Sequence, residues 1–235
     1  MIERLFDFVL RLLKELKYCY LRFRIKCRLV KNSGKRSDRQ NLKPYYDPQF
    51  LESVSAWGRN TTWNEIQFLL SNCEGRVLDI ACGTCVLFPV VSKLGGCSLY
   101  GCDISEYLIE EAVKKGVPRD RLSVCDATRT PYENDHFDYS YSIGSLEHFT
   151  EDGIARFLSE CARITKQASF HQIPTSRNGR DEGWLGLDQS YFNNSVSWWL
   201  SKFRQSYRTV YVLDSAWEDP ISLGKWFICR DRILN

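Results

Sequence analysis

The chain has 235 residues, 43% of them apolar and 14% aromatic, enough for one sizeable core and, at this length, for one domain with an appendage. No run approaches the roughly 18 apolar residues of a spanning helix. Charged residues interrupt the first apolar stretch, unlike a signal peptide, so we expect a cytoplasmic, reduced protein whose ten cysteines act mainly as small apolar residues. The net charge of +3 is uneven. Residues 1–43 hold 13 Lys/Arg against 4 Asp/Glu, a net +9, and the rest of the chain is net −6.

Residues 3–30 carry apolar side chains at 5, 8, 9, 12, 13, 16, 19, 20, 23, 27 and 30, a helical stripe between basic residues. Such a basic amphipathic helix suits peripheral contact with a membrane interface, and packing on the body or on a second subunit is the alternative. An oligomer is therefore left open. A nucleic-acid arm would not need the wide apolar stripe, so no nucleic acid is expected. Residues 31–44 read as a polar linker, giving a division into 1–44 and a body of 45–235. Thr62 and Glu65 have capping-box spacing for a helix to about residue 71.

Strand and helix then alternate. Strands are predicted at 76–80, 98–102, 122–125, 137–142, 168–173, 207–213 and 225–230, and helices at 86–94, 105–115, 151–164 and 195–203. Ser105 and Thr150 are natural N-caps, and Gly116 before Pro118 is a natural stop. The pattern implies an α/β, Rossmann-like, mostly parallel seven-stranded sheet with helices on both faces, closed by an antiparallel hairpin of the last two strands.

Four successive strand ends carry groups suited to a polar ligand. The first ends in Asp79 and the small-residue turn Ala81-Cys82-Gly83-Thr84-Cys85, the second in Asp103-Ile104, the third in Asp126-Ala127 and the fourth in Ser142-Ile143. Asp103 could grip both hydroxyls of a ribose, and Asp126 could accept from an adenine amine. Asp79 could order the loop amides or hold a ligand ammonium. Each aspartate alone could equally cap a helix; three in register with a Gly-bearing loop are harder to explain that way. Cys82 and Cys85 could form a redox pair or half a zinc site with Cys97 and Cys102, but the spacing is irregular and no metal is expected.

The run Leu78-Asp79-Ile80-Ala81-Cys82-Gly83-Thr84, with Gly101-Cys102-Asp103, Cys125-Asp126-Ala127 and Ser145-Leu146-Glu147-His148-Phe149, resembles the class I S-adenosylmethionine-dependent methyltransferases, in particular the small-molecule type 11 branch. The resemblance covers about residues 60–230. It implies sheet order 3-2-1-4-5-7-6 and S-adenosylmethionine as cofactor, with S-adenosylhomocysteine as product. Asp103 would hold the ribose, Asp126 and Ala127 the adenine, Ala81 to Cys85 the methionine moiety, and Ser142 and Ile143 would lie near the sulfonium. Ala81 and Cys85 depart from the outer two glycines of the family's Asp-x-Gly-x-Gly-x-Gly motif. A nicotinamide dinucleotide would require Gly-x-Gly-x-x-Gly, which the chain lacks.

An alcohol acceptor gains from a general base, for which His148 is the first candidate and His171 the second. Residues 174–206 read as an acceptor-binding insertion, with Arg177, Arg180, Tyr191 and Asn194 as contacts to a sugar. With the basic helix, this favours O-methylation of a small-molecule or glycan acceptor, a sugar of a lipid-linked bacterial surface polysaccharide or lipopolysaccharide, at the cytoplasmic membrane face. The alternatives are a lipid-soluble acceptor such as a quinone precursor, or a non-catalytic cofactor-binding scaffold.

Overall fold

The computed structural model describes residues 2–32, 40, 42–48, 51, 59, 61–186 and 189–233. Most of the predicted linker lies outside these residues. The helices are α1 (Ile2–Asn32), α2 (Thr62–Leu70), α3 (Phe88–Val91), α4 (Glu106–Lys114), α5 (Glu151–Ile164) and α6 (Val196–Phe203). The main-sheet strands are β1 (Gly75–Ile80), β2 (Cys97–Asp103), β3 (Leu122–Val124), β4 (Phe137–Ile143), β5 (Thr165–Ser176), β8 (Tyr207–Glu218) and β9 (Ser222–Arg232). A small separate hairpin pairs β6 (Trp184–Leu185) with β7 (Tyr191–Phe192).

The seven-stranded sheet runs β3-β2-β1-β4-β5-β9-β8. Its first five strands are parallel, and β9 is antiparallel to both neighbours. The order is the expected 3-2-1-4-5-7-6, with β8 and β9 as the sixth and seventh strands. Reversal of the chain's direction around β1 and β4 opens a crevice at their carboxyl ends, where open α/β sheets bind ligands.

Both faces of the sheet are covered. Leu78, Ile80, Phe137 and Ile173 pack with Ile154, Phe157, Leu158 and Cys161 of α5 and Trp199 and Phe203 of α6. On the other face Val77, Leu99, Tyr141 and Trp226 pack with Ile66 and Leu70 of α2 and Val91 of α3. Ile109 and Ala112 of α4 enclose a third cluster around Cys85 and Leu122. Burying these apolar groups is the main stabilising contribution, at roughly 25 cal/mol per Å² of apolar surface.

Local signals act largely as read. Ser105 Oγ accepts from the Leu108 amide and Thr150 Oγ1 from the Gly153 amide, capping α4 and α5. Gly116 has φ +93 and ends α4. Three expectations need correction. The helix expected over 86–94 contracts to α3, with turns on either side. The hairpin strands extend well past 213 and begin before 225, which brings their connecting turn to the sheet's functional edge. Finally, Thr62 is the first residue of α2 and not its N-cap; Thr61 holds that position and makes no side-chain cap bond. Glu65 instead accepts from Ser215 Oγ (2.7 Å), the Ala216 amide (2.5 Å) and Trp226 Nε1 (2.7 Å), clamping α2 to the hairpin.

Candidate active site

The ends of β1, β2, β3 and β4 open into one cavity of about 720 Å³. Asp79, Ala81, Cys82, Gly83, Thr84, Asp103, Ile104, Asp126, Ala127 and Ile143 all line it, as the sequence leads one to expect. This volume accommodates a cofactor and a small acceptor together.

The turn after β1 is built on left-handed backbone. Ala81, Gly83 and Cys85 have φ of +58, +55 and +49. The conformation that three glycines adopt freely is thus kept with a side chain at the outer two positions, at about 1–2 kcal/mol each. Gly101 of β2 makes room for this: a Cβ there would run into Cys85 Sγ and Cys82 Sγ. Gly83 faces open space, with no atom within 4 Å of where its Cβ would lie, so the turn's middle backbone can approach a ligand.

Asp103 is buried at the tip of β2. Its Oδ2 accepts from the Gly83 amide and its Oδ1 from the Ser105 amide, both at 2.9 Å. Asp103, not Asp79, therefore holds the Gly83 amide of the turn. Each carboxylate oxygen keeps a second lone pair for a ligand hydroxyl. Burial raises the Asp103 pKa, and the amides of Ser105, Gly83 and Ile104 oppose that rise. Asp79 accepts from Tyr141 Oη at 3.0 Å, and burial pushes its pKa up to about 8. A ligand ammonium would reverse that shift. Asp126 is exposed at the rim, where its Oδ1 accepts from the Thr128 amide and hydroxyl at 2.8 Å.

These residues fit an adenosyl amino acid. A bidentate acceptor, a rim carboxylate beside a small buried residue (Ala127), an unobstructed Gly backbone and a desolvated carboxylate match ribose, adenine, the methionine backbone and its ammonium. When bound, the cofactor supplies a methyl carbon on positively charged sulfur.

Two cofactor assignments need correction. Cys85 is buried beneath the turn against Ile109 and Ala112, away from this cavity's wall. Ser142 points to the opposite face of β4, where its Oγ lies 2.9 Å from His171 Nδ1. His171 is no base for this cavity either. It is 0% exposed, packed between Phe157 and Phe203, and burial holds its pKa down to about 3.

His148 does line the cavity. Its Nδ1 lies 2.8 Å from the Ser190 carbonyl, which only accepts, so Nδ1 carries the proton and Nε2 keeps a lone pair. Burial lowers its pKa to about 4.

Of the predicted acceptor contacts only Tyr191 lines the cavity. Arg177 is held by Glu218 Oε2 (2.7 Å) and the Asp219 carbonyl (2.8 Å). Asn194 is buried and its Oδ1 accepts from the Gly183 amide at 2.7 Å, while Arg180 is exposed outside the cavity. The sequence reading missed Tyr45, Trp63, Glu147, Gln189, Trp217 and Asp219, all of which line the site. Tyr45 is pinned when its carbonyl accepts from Ser105 Oγ (2.8 Å), and its Oη lies 3.1 Å from Gln189 Nε2. Burial pushes its phenol up to about 12. Glu147 stands in the motif beside His148 and Gln189 lies in the 174–206 segment; Tyr45, Trp63, Trp217 and Asp219 carry no local sequence signal. Among the described residues no group of three or more His, Cys, Asp or Glu is arranged to hold a metal ion.

Residues 77–168 match a family model described as a methyltransferase domain. The chain is 34% identical over 127 residues to a mouse protein named probable tRNA methyltransferase 9B, covering 53% of this chain and 25% of that one. It is 27% identical over 126 residues to methyltransferase GfsG of Streptomyces halstedii, covering 51% of this chain and 44% of that one. It thus spans from a quarter to under half of these relatives. Among solved structures, magnesium protoporphyrin IX methyltransferase from Synechocystis PCC 6803, with its cofactor bound, superposes with TM-score 0.57 at 16% identity, covering 80% of this chain and 88% of that one. An S-adenosylmethionine-dependent methyltransferase from Clostridium acetobutylicum gives TM-score 0.59 at 11% identity, covering 78% and 98%. The sheet order and the convergent strand ends have the architecture of the class I methyltransferase fold, and over residues 77–168 the chain is similar to methyltransferase domains.

Proposed function

We propose that this chain moves the methyl group of S-adenosylmethionine to a hydroxyl of a neutral, polar acceptor, a sugar of a lipid-linked glycan, presented at an anionic membrane surface. One observation carries this reading: beyond the cofactor half, the cavity is walled by Tyr45, Gln189, Tyr191 and Trp217, with Glu147 and His148 beside them. Flat rings can stack on a sugar face while amide and carboxylate groups take its hydroxyls.

The membrane half of the reading rests on α1. Leu5, Phe8, Leu12, Leu16, Tyr20 and Phe23 are all exposed, and one of the helix's bonds to the body is Arg22 Nε to the Pro220 carbonyl at 2.7 Å. No described helix is long and apolar enough to cross a membrane. A helix of this kind instead lies along the interface, its cations attracted to anionic lipid.

A second reading, an RNA acceptor, draws on the names of the relatives and on the net +9 of residues 1–43. Against it, the described cavity wall holds Asp79, Asp103, Asp126, Glu147 and Asp219 but the single cation Arg156, a poor host for a polyanion. The two are separated by incubating the protein and methyl-labelled cofactor with glycolipid extract and, separately, with total tRNA. Label in the glycolipid fraction supports the proposal. Label in tRNA alone contradicts it.

A further inference from the structure

Glu147 and His148 adjoin on the short turn Leu146–His148 that follows β4, and both face the cavity. The two side chains are differently committed. His148 is fixed by its Nδ1 bond to the Ser190 carbonyl. Glu147 is 3% exposed, and its Oε2 has no hydrogen-bond partner. Such an orphaned buried carboxylate oxygen is costly and calls for a partner that arrives with the ligand. His148 Nε2 lies 3.7 Å from Glu147 Oε1, too far for a direct hydrogen bond.

The titratable groups around Glu147 are His148 on its own turn, Tyr45 from the N-terminal side and Tyr191 of β7. Asp103 bears on Tyr45, and Asp219, in the turn after β8, bears on Tyr191. Arg156 of α5 lines the same cavity and is paired with Asp152. Among the described residues no Lys or Arg pairs with Glu147.

The geometry points to Glu147 as the catalytic base, ionising against the positively charged sulfur of the cofactor and receiving the acceptor's proton, with His148 as a positioning residue. The inference rests on the methyltransferase reading of this site. In the transfer, a lone pair of the acceptor oxygen forms the new C–O bond. The C–S bond breaks with its electron pair returning to sulfur, and the hydroxyl proton passes to Glu147. The relative proton affinities agree. Burial pushes Glu147 up to about 8 and holds His148 down to about 4, so the carboxylate is the stronger base of the two. In the free protein near neutral pH Glu147 is largely protonated. A cation in the cavity converts it to the basic form, so that the base is made when the methyl donor binds.

Calorimetric titration with S-adenosylmethionine and S-adenosylhomocysteine, in buffers of different ionisation enthalpy, tests this without an acceptor. Both ligands carry the ammonium that Asp79 would meet, so the proton released there cancels in the comparison. The donor alone carries the sulfonium. At pH 7 the donor should release more protons than the product, by up to ~1 proton, and Glu147→Gln should abolish the excess while binding the product within ~3-fold of wild type. His148→Gln should keep it. An excess that survives in Glu147→Gln, or vanishes only in His148→Gln, overturns the assignment. Wild type carries a test that needs no variant. Its preference for donor over product should grow as pH rises from 6 toward 8, by up to ~10-fold per unit, and then level off. A preference unchanged from pH 6 to 9 overturns the inference, whereas failure to bind either ligand overturns the methyltransferase reading beneath it.

Discussion

Ala81 and Cys85 hold a left-handed backbone conformation that glycine reaches without strain. Cys85 answers with packing: its Sγ occupies the space that Gly101 leaves open, and it is buried against α4. Ala81 gains less, since it is only half-buried on the cavity wall and its single methyl packs at the edge of the core. Ala81→Gly should therefore raise thermal stability, by up to ~1 kcal/mol after the entropy that glycine adds to the unfolded chain. Cys85→Gly should lower it, because a void replaces the thiol. Melting curves of the two variants check this, and a loss in the first would contradict it. At this scale the cofactor half of the site was legible because strand-end carboxylates and a small-residue turn are local patterns. Ser142 was misplaced because one step along a strand changes face, and nothing in an isolated strand says which face the ligand uses. His171 was misplaced because a histidine near a strand end reads alike whether it faces a cavity or, as here, a core of Phe157 and Phe203.

The elements differ in how well they announce themselves. α4, α5 and α6 were legible to within about a residue, because their caps and apolar spacing agree. Of the other half of the cavity only Tyr191 was legible. Tyr45 precedes α2, Gln189 and Tyr191 belong to the small hairpin region, and Trp217 and Asp219 come from the end of β8 and the turn after it. Only folding brings such distant segments together, and the long hairpin that delivers Trp217 was read several residues too short. The amphipathic α1 was legible, and its apolar stripe is exposed rather than packed into the core. Introducing charge with Leu12→Glu and Leu16→Glu together should lower binding to anionic vesicles by at least ~10-fold, measured by flotation, and leave cofactor affinity unchanged. Undiminished flotation would contradict a membrane role for this face.

For the molecule as a whole, burial of the site leaves a signature in stability against pH. Asp79 and Glu147, at about 8 in the fold against 3.8 and 4.5 ordinarily, bind protons more tightly folded than unfolded. Their contribution is complete at low pH and is lost as pH rises through about 8. His148 and His171, at about 4 and about 3 against 6.5, act in the opposite sense: their contribution is present above 6.5 and is lost as pH falls. Between 6.5 and 8 the two carboxyls act without opposition from these histidines. The Tm of the cofactor-free protein should fall by several degrees across that interval, at ~2–4 °C per kcal/mol for a chain of this size. Asp79→Asn with Glu147→Gln should flatten the slope. A wild-type Tm that holds or rises from pH 6.5 to 8 would contradict the burial described for these groups.

The central claim is that the carboxyl ends of β1 to β4 form a seat for an adenosyl amino acid, with Asp103 at its middle. Titration of the folded protein with S-adenosylhomocysteine tests it most directly. We predict saturable one-to-one binding by wild type and a loss of ~100-fold in Asp103→Ala, in line with about 1.5–3 kcal/mol for a hydrogen bond to a charged group and two such bonds removed in part. No binding by wild type, or equal binding by wild type and Asp103→Ala, would contradict the account.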